Sequence, residues 1–269
     1  MIKFDKQLNL CFRTLIKIIM IVIFITVAFP KPGGACYSAR PMGMGGAYVA
    51  LAQGTEGLYW NPGGMVFSQG STFHTTQSLP PENINYQSFL GGVLDRGNIA
   101  VGLGYTGLTD FAYDRYWLQT AFSFKVLPWL GVGVGKRLVQ PWRGDTYHET
   151  DLGVQVRLKR VSLGVLLQSV DTVGYNIRSG IALHGEDYTL AVDVYDFTNN
   201  HEAFSANLGF EYRPVQEIGL RLGLYRLGSD EGYVKTVGIG KKSGSFALDT
   251  VYLLGSDFFS LQVSAGYNF

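Results

Sequence analysis

The chain has 269 residues with 22 basic and 21 acidic side chains, a formal net charge of +1. That balance excludes the basic footprint of a nucleic-acid binder, and two cysteines are too few for a disulfide scaffold. Thirty-five glycines, 17 phenylalanines and 16 tyrosines against 16% charged residues match an outer-membrane barrel with aromatic girdles.

The chain begins with a basic stretch, Lys3, Lys6, Arg13 and Lys17, followed by the apolar run IIMIVIFITVAF and then GGAC. Basic, apolar and small residues in that order are a secretory signal. The run is shorter than the roughly 20 residues of a membrane span. Residues 1–35 are therefore read as a signal peptide cut between Ala35 and Cys36. A lipid-modified Cys36 would want a branched apolar residue three positions earlier, where Gly33 stands. Cys11 leaves with the signal, so the mature chain has no internal disulfide.

Residues 36–69 do not alternate. Met42, Met44, Ala47, Val49 and Leu51 are apolar and interrupted by glycine pairs. The pattern predicts a short helix over Gly46–Ala52 and a turn at WNPGG. Such a segment is too apolar to hang free, and it is expected to pack into a barrel mouth as a plug.

From residue 70 to 269 the period is two. Val161, Leu163, Val165 and Leu167 oppose Ser162, Gly164 and Gln168, and Ile218, Leu220, Leu222 and Leu224 oppose Gly219, Arg221, Gly223 and Tyr225. Strands put such sets on opposite faces, and no helical period of 3.6 competes. About fourteen segments repeat the pattern, an even number in the bacterial barrel range. They start near Ser71, Ile84, Asn98, Tyr113, Trp129, Thr146, Val161, Tyr175, Asp187, Ala203, Val215, Gly232, Gly244 and Phe259. The fold expected is all-β, a transmembrane antiparallel up-and-down barrel with the short helical plug inside.

The connections sort into two kinds. DRGN, VLPW, KRV, GED, RPVQ and KKSG are tight; TDFAYD, QPWRGDTYHE, DTVG, TNNHE, GSDEG and LGSD are looser. If the carboxy terminus is periplasmic, every tight turn falls on the periplasmic side. Trp129, Tyr188, Tyr212, Tyr233, Phe246, Tyr252, Phe259, Tyr267 and Phe269 sit near strand ends on the apolar face, where aromatic rings meet both lipid and headgroup. Tyr267 and Phe269 also form an aromatic end to the last strand, read as a signal for the barrel-assembly machinery. The inward face carries Arg157, Arg178, Asp193, Glu211, Arg221 and Asp249. Buried charges must pair, so these are expected to form a neutralising network along the wall.

The stretch ARPMGMGGAYVALAQGTEGLYWNPGGM, Ala39 to Met65, resembles the N-terminal signature of the FadL-like outer-membrane proteins, including the PorV/PorQ group. The resemblance implies a fourteen-stranded barrel with its N-terminal segment folded inside as a hatch, and it aligns Asn61, Pro62 and Gly63 with the family's Asn-Pro turn. It implies passive transport of a small hydrophobic compound, with Met42, Met44, Trp60 and Met65 as apolar ligand contacts, since thioethers adapt to varied shapes. The alternative it implies is a non-transporting partner of a secretion system, docking an exported protein through outer aromatics such as Phe111, Tyr113, Trp142 and Tyr147. The external loops are short for either role. An enzyme is disfavoured: His74, His148, His184 and His201 are scattered without metal-ligand spacing, and no Gly-x-Ser-x-Gly elbow occurs. No cofactor is expected. The location expected is the outer membrane of a Gram-negative-type bacterium, with its lipid as partner.

Overall fold

The computed structural model describes residues 38–79, 86–110, 113–141, 144–171, 175–195, 205–227, 232–255 and 259–269. The expected leader and Cys36 lie outside them. Fourteen strands follow an inner N-terminal segment: β1 Thr72–Leu79, β2 Tyr86–Asp95, β3 Ile99–Asp110, β4 Tyr113–Leu127, β5 Leu130–Gln140, β6 Tyr147–Arg157, β7 Val161–Gln168, β8 Asn176–His184, β9 Tyr188–Tyr195, β10 Ser205–Val215, β11 Ile218–Leu227, β12 Val234–Ser243, β13 Phe246–Leu254 and β14 Phe259–Asn268. Each strand pairs antiparallel with its neighbours in sequence, and β1 pairs with β14, from Thr72↔Asn268 to Leu79↔Leu261. The sheet is closed and has no free edge. Every strand begins within three residues of the start expected from the alternation.

The two ends of the barrel differ as the turn pattern predicts. At the end that holds Thr72 and Phe269, the hairpins are joined by two or three residues. We call this the turn end and the opposite one the loop end. One loop-end connection departs from expectation. TDFAYD is not loose, because the ladder continues to Asp110↔Tyr113 and leaves two residues between β3 and β4.

Leu, Val and Ile side chains alternate outward along the strands. Leu152, Val154, Leu163, Leu222 and Val237 are exposed, while their neighbours Asp151, Gln155, Ser162, Arg221 and Thr236 are buried inside. Water does not tolerate a continuous apolar belt of this extent; hydrocarbon does. Exposed aromatics border the belt. Trp129, Tyr188, Tyr212, Tyr267 and Phe269 lie at the turn end, and Tyr147, Tyr175, Tyr233 and Phe259 at the loop end. The Tyr267 and Phe269 rings meet edge to face at 4.9 Å, and the Phe269 amide donates to the Ser71 carbonyl at 2.9 Å, tying the last residue to the residue before β1.

The inner segment folds as helix α1 (Ala39–Gly43), a 3-10 turn at Gly54–Glu56, helix α2 (Gly57–Trp60) and a 3-10 helix over Pro62–Phe67. The helix expected over Gly46–Ala52 is absent. Gly45 and Gly46 adopt φ of 61° and 70°, which turns the chain out of α1. The Tyr48 and Val49 amides then donate to Asp193 Oδ2 at 2.6 and 2.8 Å instead of to a preceding helical turn. At WNPGG the expected turn is the cap of a 3-10 helix, in which Asn61 Oδ1 accepts from the Gly63 amide at 3.0 Å.

Candidate functional site

The inner segment, hereafter the hatch, lies against a belt of inward glycines. The belt takes in Gly131, Gly153, Gly164, Gly180, Gly209, Gly223 and Gly238. A Cβ at Gly164 would strike the Val49 carbonyl, one at Gly209 the Met44 carbonyl, and one at Gly223 the Gly45 amide. The hatch main chain therefore presses on the wall main chain with no side chain between them. A strand interior normally disfavours glycine, and close approach of another backbone is what justifies it.

Polar groups hold the hatch in place. Besides the Asp193 contacts, Asn61 Nδ2 donates to the Val49 and Val154 carbonyls, each at 3.0 Å, joining two parts of the hatch to β6. Ser264 Oγ accepts from the Ala39 amide at 2.7 Å, and Thr236 Oγ1 donates to the Gly43 carbonyl at 3.2 Å. Tyr195 Oη donates to the Gly46 carbonyl at 3.3 Å and accepts from Asn207 Nδ2 at 2.7 Å. Within the hatch, Tyr48 Oη donates to Glu56 Oε2 at 2.5 Å and Ser38 Oγ to Glu56 Oε1 at 3.1 Å. Burial, with the Glu56 carboxylate adding to it against the pull of Arg40, holds the Tyr48 phenol well above its usual pKa, so it stays a proton donor.

The inward charges divide. Arg221 bonds Glu211 at 2.7 Å and Asp249 at 2.6 Å. Glu211 also faces Arg213 and, at 3.4 Å, Arg40 of the hatch. Three of the six expected members, Glu211, Arg221 and Asp249, thus form one network. The other three lie outside that network. Asp193 caps the hatch amides. Arg157 Nη1 donates to Gln53 Oε1 and the Phe67 carbonyl, both at 3.2 Å. Arg178 stacks on tyrosines. A second ion-pair group, Arg137 with Glu149 at 2.9 Å and Asp151 at 3.0 Å, lies toward the loop end. Arg40 and Glu56 were not legible as site residues, because their partners are set by tertiary packing.

Met42, Met44, Trp60 and Met65 are brought together in one buried cluster. Each is at most 3% exposed, and none lines the cavity at the turn end. Asn61 and Pro62 lie against β6, over Gly153. A cavity of about 630 Å³ lies at the turn end, beneath the hatch, lined by Arg40, Glu56, His74, Arg157, Glu211 and Asp249 among others. Its walls are polar. Of the outer aromatics, Phe111, Trp142 and the Tyr113 side chain lie outside the described residues, and Tyr147 is exposed.

No protein-family model matches the sequence, and no curated protein matches it. Solved structures do. The deltaS2S3 mutant of the TodX monoaromatic hydrocarbon channel superposes with a TM-score of 0.69 at 13% identity, over 90% of this chain and 100% of that one. The chain shares its fold. The toluene transporter TodX of P. putida and the toluene transporter TbuX of Ralstonia pickettii each give a TM-score of 0.64 at 13% identity, over 87% of this chain and 98% of theirs. A closed fourteen-stranded antiparallel barrel with short helices near its N-terminus is what the FadL resemblance implied.

Proposed function

We propose that the protein is an outer-membrane channel of the FadL-like kind, through which a small hydrophobic compound passes when the hatch shifts. The observation that carries this reading is the hatch itself: a main-chain segment seated in a glycine belt and held to the wall by discrete polar groups. The fold shared with channels for monoaromatic hydrocarbons supports the same reading. The apolar belt and its aromatic borders support an outer-membrane location, reached with residues 1–35 as a removable signal and Tyr267 and Phe269 as the assembly signal. The PorV/PorQ role, docking an exported protein, has less in its favour. It needs an outer platform, and the β3–β4 connection is two residues long.

The test is uptake of labelled toluene by cells that carry a lipopolysaccharide barrier and lack their own hydrophobic channels. Cells expressing the chain should take up toluene faster than empty-vector cells. Equal initial rates, with the protein present in the outer membrane, would refute the transport reading.

A further inference from the structure

Arg157, at the turn end of β6, is a guanidinium that no carboxylate answers. Arg40, Arg137, Arg213 and Arg221 each meet one, and Arg178 acts on the buried Asp193 of the neighbouring strand. The fields that reach Arg157 are those of the Tyr48 phenol and of Arg40, a second cation. Its Nη1 is fixed, donating to Gln53 Oε1 and the Phe67 carbonyl, both at 3.2 Å. Its Nε and Nη2 have no acceptor among the described residues, and neither is sealed off from open space. Those two atoms make up one edge of the guanidinium fork, and such an edge takes both oxygens of an oxyanion at once.

Arg157 lines the turn-end cavity of about 630 Å³, a volume usual for a small-molecule site. The cavity opens between exposed turns, with Glu186 after β8 and Gln216 and Glu217 after β10 on its rim. Its carboxylates do not compete for the guanidinium. Glu211 and Asp249 bond Arg221 on the far side of the barrel. Glu56 accepts from Tyr48 and Ser38. Glu186 and Glu217 are exposed, where water and salt screen them. Gln69, Thr72, Gln216 and Asn268 add amides and a hydroxyl to the wall, and its apolar side chains are Phe67, Phe73 and Ala247. The Phe67 ring already serves cations, with Arg157 Cζ at 5.0 Å and Lys125 Nζ at 5.8 Å from its centre, an arrangement that steadies the guanidinium.

We infer that the turn-end cavity binds a small hydroxylated carboxylate, with its two carboxylate oxygens on the Nε–Nη2 edge of Arg157 and its hydroxyls on the amide and hydroxyl wall. A carboxylate presents two oxygens and one charge, the complement of one such edge. The hydroxyls replace the water that the polar walls would otherwise lose, which an apolar body cannot do. The inference is independent of the passage reading above, because the cavity lies below the hatch and fills without any movement of it.

Binding is measured by titration calorimetry on the full chain in detergent, with glucuronate as probe. Glucose lacks its charge, hexanoate lacks its hydroxyls, and glucose 6-phosphate replaces the carboxylate by a phosphate. Glucuronate should bind at least about tenfold more tightly than glucose, as hydrogen bonds between charged groups require, and at least about threefold more tightly than hexanoate. Arg157→Met should erase the preference over glucose. Should that variant fail to give a heat-modifiable folded barrel, Arg157→Lys replaces it. It keeps the charge and loses the two-donor edge, so glucuronate should weaken by at least about threefold. Equal affinity for glucuronate and glucose, or a preference that survives these variants, overturns the site. Hexanoate binding as tightly as glucuronate, or glucose 6-phosphate binding more tightly, overturns the ligand class. Loss of toluene uptake would refute passage and leave this site standing, and loss of glucuronate binding would refute the site and leave passage standing.

Discussion

Asp193→Ala tests whether the hatch is seated by its polar contacts. One carboxylate oxygen accepts the amides of Tyr48 and Val49, at 2.6 and 2.8 Å, and all three residues are buried. Removing the carboxyl leaves two interior N–H donors with no partner, and each such donor costs about 1–3 kcal/mol. The seated state is thereby weakened by about 2–6 kcal/mol, and at 1.4 kcal/mol per decade the unseated population grows by a factor of about 30 to 2×10⁴. Asp193→Asn keeps an acceptor oxygen in place and should fall well below that range. Single-channel recording in planar bilayers reads the difference. The wild type should stay closed for nearly all of the record, Asp193→Ala should open in frequent bursts, and Asp193→Asn should lie between them. A quiet Asp193→Ala trace, with the variant shown to be inserted, would refute the reasoning and place the seating energy in the glycine belt.

Two other outcomes bear on the membrane and on assembly. Leu222→Arg puts a charge on the outward face at mid-height, where Leu222 is exposed, and on the outer-membrane reading should weaken the inserted state by about 2–4 kcal/mol; normal amounts of heat-modifiable barrel in outer-membrane fractions would contradict the facing. Deletion of Phe269 removes the ring that meets Tyr267 and the amide bonded to Ser71, and should slow assembly in a pulse-chase experiment, whereas an unchanged rate would deny the last residue a role as a signal.

Most of the wall was legible in the sequence because a strand's facing is a local property. In Val161–Gln168 the two faces alternate residue by residue, and in a closed barrel nothing overrides that choice. The tight turns were legible for the same reason. The interior was less so. Glycine pairs and small apolar residues around Gly46–Ala52 are compatible with a helix, and what prevents one is a carboxylate 145 residues away. Arg40 finds Glu211 across 171 residues. Arg178 looked like one more member of an ion-pair network, since its charge is visible in the sequence but the Tyr59 and Tyr195 rings it stacks on are not. Met42, Met44 and Met65 looked like ligand contacts, and chain position alone could not show that all three are packed between hatch and wall.

The glycine belt also bears on how the molecule can be made. Val49, Met44 and Gly45 sit against β7, β10 and β11 at main-chain distance, and Pro62 against β5 and Gly63 against β5 and β6 do the same. A closed cylinder offers no clearance for threading a folded insert of that fit from one end. The segment has to be present while the sheet curls, acting as a mandrel on which the strands are wound, so the hydrogen-bonded seam between β1 and β14 closes over an interior that is already occupied.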